Sequence, residues 1–387
     1  MNIPFRSAIM LPKRILKSTK WVPAEVFAHE SFLLRRGMRV AANSTIYDIA
    51  AEAGVSIATV SRVLREEPGV SPRTRERVTA AISRHNYRPS SIARGMTSKK
   101  TNTLGIVLPK LLNPNYAMIF TGASDAARAA GCSVNLFPWR SIGGQAENPA
   151  LALAERRLDG IIICVEYMPQ VENAHFLESL RELRQFMPIV LIGCVPAGVD
   201  YPAISYNMAE IVRHVMAWLI GLGHQRIALI GGMESDQDQM RRDVGYLQGL
   251  QDAKLPFVSS YRVFCGGNPG DGETALSGML EQLQPAYWPT AVIALNDLVA
   301  MGCLASARRH GLRVPEDLSV IGCDNIFCAP YLLPPLTSID MHQQELGARA
   351  VELLLSGENR REEARWEMVL RASGGPCEPD KRERKGE

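Results

Sequence analysis

Arg62 is the side chain with the plainest chemistry. A guanidinium offers paired N–H donors that match O6 and N7 of guanine in the DNA major groove. It lies in the stretch TIYDIAAEAGVSIATVSRVL, residues 45–64. Ser56, Thr59 and Ser61 supply hydroxyls suited to phosphate oxygens, and Ile57 and Ala58 share the same outer and leading surface. Reading bases this way requires a short helix lying in the groove, with a second helix across its back. The spacing provides both. Ile46, Ile49, Ala50 and Ala53 recur at i, i+3, i+4 and i+7, one apolar face of a first helix, with Ala50 small where the second must cross. Gly54 tolerates the left-handed turn that ends the first helix, and Ser56 caps the second. Over 57–64, Val60, Val63 and Leu64 are expected to face inward. A third helix is expected after Ser71 as cap and Pro72 at its first position, with Val78, Ala81 and Ile82 on one face and an end at 86–89.

From about residue 45 to residue 370 the chain resembles the LacI/GalR family of bacterial transcription regulators. The resemblance rests on DIAAEAGVSIATVSRVL, VSPRTRERV, NYRPSSIARGM, LGHQRIALIGG, ALNDLVAMG, GLRVPEDLSVIGCDN and PPLTSI, in that order. It implies a helix-turn-helix headpiece at 45–89, a hinge helix at 90–101, and an α/β two-lobed effector domain at 102–370, related to periplasmic sugar-binding proteins. A polar tail would follow at 371–387. In the hinge, Met96 matches the apolar wedge that enters the minor groove, where the family usually has Leu. Gly95 departs further, because glycine weakens a helix by about 1 kcal/mol relative to alanine.

The charge distribution agrees with this division. The net charge of +3 conceals eight basic and two acidic residues over 1–44, ten and five over 45–100, and 25 and 33 over 101–387. Positive charge gathers where phosphates are expected. Residues 1–44 precede the match. They read either as a basic arm with nonspecific DNA affinity or, preferably, as sequence upstream of a native start at Met38. The apolar run at 8–11 is shorter than the about 7 to 15 residues of a signal-peptide core, and no span approaches the about 20 that cross a membrane. A cytoplasmic protein is expected. The eight cysteines, Cys132, Cys164, Cys194, Cys265, Cys303, Cys323, Cys328 and Cys377, contain no CxxC and read as reduced thiols, mostly buried.

Beyond residue 103 the pattern alternates strand and helix. Apolar runs fall at 104–108, 134–137, 161–164, 189–192, 227–230, 263–265, 292–295 and 320–323. Met208, Ile211, Val212, Val215, Met216 and Leu219 make one helical stripe between them. Such alternation means parallel sheets covered by helices, with ligands gathering beyond the carboxyl ends of the strands. The loops there carry Asn113 and Tyr116, the approach to Arg242, and Asn296-Asp297. The resemblance matches Arg242 and Asp297 to the family's cleft arginine and aspartate, a pair able to hold adjacent hydroxyls. Tyr116 could stack on a ring, and Asn207 could reach in from the connection between lobes. Asn268 falls roughly where relatives often carry an aromatic, in a loop one residue shorter. Met341-His342 replaces the common Gln-Pro.

An enzyme is not expected. Gly266, Gly267, Gly270 and Gly272 do not form GxxxxGK[ST] or GxGxxG, no GxSxG occurs, and no histidines stand in a metal-binding pair. Neither a cofactor nor a metal is expected. A transport-type binding protein would need an export signal and no headpiece. The expected partners are a palindromic DNA operator, a small-molecule effector of sugar type, and a second copy of the chain. Release of DNA by the effector is favoured over effector-promoted binding.

Overall fold

The computed structural model describes residues 44–64, 66–87, 100–138, 153–165, 170–193, 195, 199–234 and 237–377. The headpiece and the larger body form separate compact units.

The headpiece contains α1 (Ile46–Ala53), α2 (Ile57–Leu64) and α3 (Pro72–Arg84). Its core is Ile49, Ala50 and Ala53 of α1, Val60 and Val63 of α2, and Val78 and Ala81 of α3. Thr45 and Asp48 start α1 with a reciprocal cap: the Thr45 amide donates to Asp48 Oδ2 at 2.7 Å, and the Asp48 amide donates to Thr45 Oγ1 at 3.4 Å. The Thr45 amide, together with the Thr45 hydroxyl donating to the same Oδ2 at 2.8 Å, holds the Asp48 carboxyl below the usual carboxylate range. Gly54 ends α1 at φ +58°, a conformation in which a Cβ is strained.

In the body, β1 (Thr103–Leu108), α4 (Pro114–Ala129), β2 (Ser133–Pro138), β3 (Gly160–Val165), α5 (Gln170–Arg184), β4 (Ile189–Gly193) and β5 (Ala203–Ser205) come first. Next are α6 (Met208–Gly221), β6 (Ile227–Ile230), α7 (Gln237–Asp252), β7 (Arg262–Val263), α8 (Pro269–Gln282), β8 (Ala291–Ala294), α9 (Asp297–Arg309), β9 (Ser319–Asp324) and β10 (Thr337–Asp340). The chain then forms α10 (Gln343–Ser356), β11 (Arg361–Glu363) and β12 (Glu367–Val369).

Two sheets result, ordered β11-β5-β4-β3-β1-β2 and β12-β10-β9-β8-β6-β7. All their ladders are parallel except β10 with β12. Strands β3, β6, β8 and β9 are buried along their whole length, because helices cover both faces of a parallel sheet, so such strands read as unbroken apolar runs. The eight runs in the sequence coincide with strands, although the one at 263–265 is displaced to Arg262–Val263.

The chain crosses between the sheets three times: from β5 to α6, from β10 to α10, and from β11 to β12. The Tyr206 hydroxyl on the first crossing donates to the Met341 carbonyl on the second at 2.7 Å. Residues 371–377, expected to begin a polar tail, instead continue along the second sheet. Ser373 is fully buried and accepts from the Thr337 amide at 2.8 Å, and the Cys377 amide donates to the Leu222 carbonyl at 2.9 Å. Backbone bonding fixes this segment, so the sequence shows no apolar period there.

Candidate ligand cleft and nucleic-acid interface

On the headpiece, Ser56 Oγ accepts the Thr59 amide at 3.2 Å and pairs with Thr59 Oγ1 at 2.9 Å. The cap expected of Ser56 therefore starts α2, and it engages Thr59 as well. Ser56, Ile57, Ala58 and Arg62 are exposed, while Thr59 and Ser61 are half-buried. The Arg62 guanidinium makes no hydrogen bond or ion pair with the described residues and is available to an outside acceptor. Tyr47 of α1, one residue off the apolar face of Ile46, Ile49, Ala50 and Ala53, is 68 % exposed. An aromatic placed off the apolar stripe is the sequence signal that marks it. Met96 lies outside the described residues.

In the body, a cleft of about 430 Å³ opens between the two sheets at the carboxyl ends of their strands. The first sheet contributes Asn113, Asn115 and Tyr116 at the start of α4, together with Cys164 at the end of β3 and Ile192 in β4. The second contributes Asp238 and Arg242 of α7, Gly266 and Gly267 after β7, Asn296 after β8, and Cys323 and Asp324 at the end of β9. Tyr206, Met208 and Met341 line it from the crossings.

Arg242 is 8 % exposed; its Nε donates to Asp238 Oδ2 at 3.1 Å and its Nη1 to the Leu295 carbonyl at 3.1 Å. Burial works against its charge, but Asp238 outweighs burial together with the more distant acidic groups and holds the guanidinium protonated. Asn113 caps α4 by accepting the Asn115 amide at 3.0 Å. Asn296 caps α9 through the Val299 amide at 2.8 Å, while its Nδ2 donates to the Gly267 carbonyl at 3.2 Å.

Three of the six residues expected in the cleft, Asn113, Tyr116 and Arg242, line it together. The other three do not. Asn207 caps α6, accepting the Glu210 amide at 3.3 Å. Asn268 is exposed, and its amide donates to Asp271 Oδ2 at 2.9 Å at the start of α8.

Asp297 is fully buried. Asn296 already occupies the capping position, and one residue further along a helix the side chain points about 100° away, toward the sheet. There Asp297 accepts from Ser338 Oγ at 2.5 Å and from the Ile326 amide at 2.8 Å. Burial pushes its carboxyl up to about 7, against the hydrogen bonds from Ser338 and Ile326. Gly322 leaves room for it, because a Cβ there would collide with Asp297 Oδ1. On this side of the cleft the lining carboxylates are Asp238 of α7 and Asp324, which ends β9 at φ +108°. Asp324 ends the run VIGCD and was identifiable by that position alone.

A three-helix headpiece followed by a two-sheet body with a polar cleft is the arrangement of a ligand-responsive, DNA-binding regulator. Residues 45–90 match the family model of bacterial regulatory proteins, lacI family, and residues 216–373 match the periplasmic binding protein-like domain. The chain is 33 % identical to catabolite control protein A of Priestia megaterium over 82 % of this chain and 93 % of that one. It is 34 % identical to the HTH-type transcriptional repressor PurR of Edwardsiella ictaluri (strain 93-146) over 81 % and 89 %. The structure resembles the lac repressor dimer bound to operator and the anti-inducer ONPF, with a TM-score of 0.75 and 26 % identity over 86 % of this chain and 99 % of that one. It also resembles a complex of the transcriptional regulator CelR with cellobiose, with a TM-score of 0.62 and 27 % identity over 86 % and 100 %. The chain belongs to the lacI family of bacterial regulatory proteins; it is a DNA-binding regulator and not an enzyme. No helix among the described residues is long and apolar enough to cross a membrane.

Proposed function

We propose that this regulator is a repressor that binds a palindromic operator as a homodimer and lets go when a hydroxyl-bearing small molecule of sugar type enters the cleft. The observation that carries the reading is the pairing of donors and acceptors across that cleft. Arg242 and Asp238 stand on one wall with Asp324 and Asn296, and Asn113 and Tyr116 stand on the other. Adjacent hydroxyls need acceptors and donors in fixed geometry, and an aromatic or apolar surface covers the ring face. The CelR relative in complex with cellobiose and an Enterococcus faecium relative with bound ribose support a ligand of this class.

Two recognition helices related by a two-fold axis read inverted half-sites, and the operator-bound lac repressor dimer supports that assembly. Effector binding and operator binding each favour one arrangement of the two lobes, so each shifts the other. Met96 is proposed as the minor-groove wedge.

The test is operator binding by fluorescence anisotropy, on a site found by genomic footprinting, titrated with a panel of mono- and disaccharides. One sugar is expected to release the wild-type protein. Arg242→Ala strands Asp238 in a closing site, so it should lose several kcal/mol of effector binding, on the order of 3, and stay on DNA. Ligand-strengthened binding would reverse the sign of the mechanism. Undiminished release of Arg242→Ala would remove the cleft from it.

A further inference from the structure

We propose that Asp340, His342 and Glu367 form a binding site for a first-row divalent cation such as zinc, placed where the chain passes between the two lobes. Asp340 ends β10, His342 lies on the second crossing, and Glu367 begins β12, just after the third. One donor atom from each lies within 4.8 Å of the others, and His342 Nδ1 is 3.7 Å from Asp340 Oδ1. Metal–ligand bonds of about 2.1 Å place neighbouring donors about 3.0 to 3.5 Å apart, a contraction that side-chain rotation supplies.

The charges independently favour a cation. Asp340 and Glu367 are direct partners in the antiparallel β10–β12 register, where like charges repel. Among the described residues neither carboxylate is paired with a lysine or arginine: the Asp340 carboxylate accepts from Asn325 Nδ2 and the His342 amide, and the Glu367 carboxylate has no hydrogen bond or ion pair. Arg371 reaches Asp340 only through Asn325. A doubly charged ion would neutralise both carboxylates. One imidazole with two carboxylates suits zinc or manganese better than magnesium, which favours an all-oxygen, largely hydrated shell. The Asn325 and backbone bonds already orient Asp340, as supporting groups do around metal ligands. A bound cation would fasten the second crossing to the strand entered by the third and so restrain the movement of one lobe against the other.

The experiment uses the untagged full-length protein, stripped with a chelator and titrated with zinc chloride by calorimetry and by thermal melting, beside Glu367→Gln and His342→Asn. Asparagine accepts the left-handed backbone of position 342, at φ +47°. Wild type is expected to bind one zinc per chain and to gain about 5 °C in Tm at a hundredfold excess over Kd, with affinity at least about tenfold weaker in each variant. Absence of saturable binding, or equal affinity in wild type and both variants, would overturn the site.

Discussion

Replacing Asp297 by asparagine should remove a pH dependence of stability that wild type carries. The carboxyl is fully buried and pushed from 3.8 up to about 7, chiefly by desolvation. Because the folded state holds this proton more tightly than the unfolded chain, stability is complete below about pH 4 and is lost as pH rises through about 7. The full cost of the ionised form is about 4 kcal/mol, of which about 2.5 falls between pH 5 and pH 8. Asparagine keeps the shape and the acceptor for the Ile326 amide, and its Nδ2 can donate to Ser338 Oγ. Urea denaturation followed by tryptophan fluorescence, repeated across that range, gives the difference between wild type and Asp297→Asn. That difference should move in favour of the variant by about 2.5 kcal/mol from the acidic to the alkaline end. A difference independent of pH would refute the assignment of a destabilising buried charge to this residue.

Gly54→Ala should destabilise the headpiece by about 1 kcal/mol, because position 54 has φ +58° and a new Cβ would lie 3.1 Å from Arg77 Nη2; a thermal melt of the full chain that resolves the headpiece transition measures it. Arg62→Ala should weaken operator binding by about 1 to 3 kcal/mol and relax selection at one G·C pair per half-site, read by selection from a randomised operator library.

What the sequence revealed and what it concealed follow from how far each signal reaches. Gly54 and Ser56 act on their own neighbours, so the end of α1 and the start of α2 were legible directly. The strands were legible because β3, β6, β8 and β9 are buried throughout and carry no polar interruption. Asp297 follows β8 by three residues and Asp324 ends β9, and only the fold separates their roles. The cap made by Asn296 turns Asp297 inward, whereas Asp324 ends β9 at the cleft. Glu367 and His342 are far apart in the chain and meet only because β12 returns beside β10, an arrangement that no local spacing encodes.

The bond from Tyr206 to the Met341 carbonyl has a mechanical consequence. Two separate strands of polypeptide, each able to twist alone, would give the lobes a loose joint with several modes of swing. Tied together at a half-buried point, they share one pin. Burial raises the Tyr206 phenol well above its ordinary value, so it remains a donor at any physiological pH, and the pin does not loosen with acidity. On the third crossing, Trp366 rests edge-on against His214 of α6, with ring centroids 5.2 Å apart, a bearing surface beside that pin. The crossings are thereby coupled to one another, so a change in the backbone of one is passed to its neighbours rather than absorbed locally.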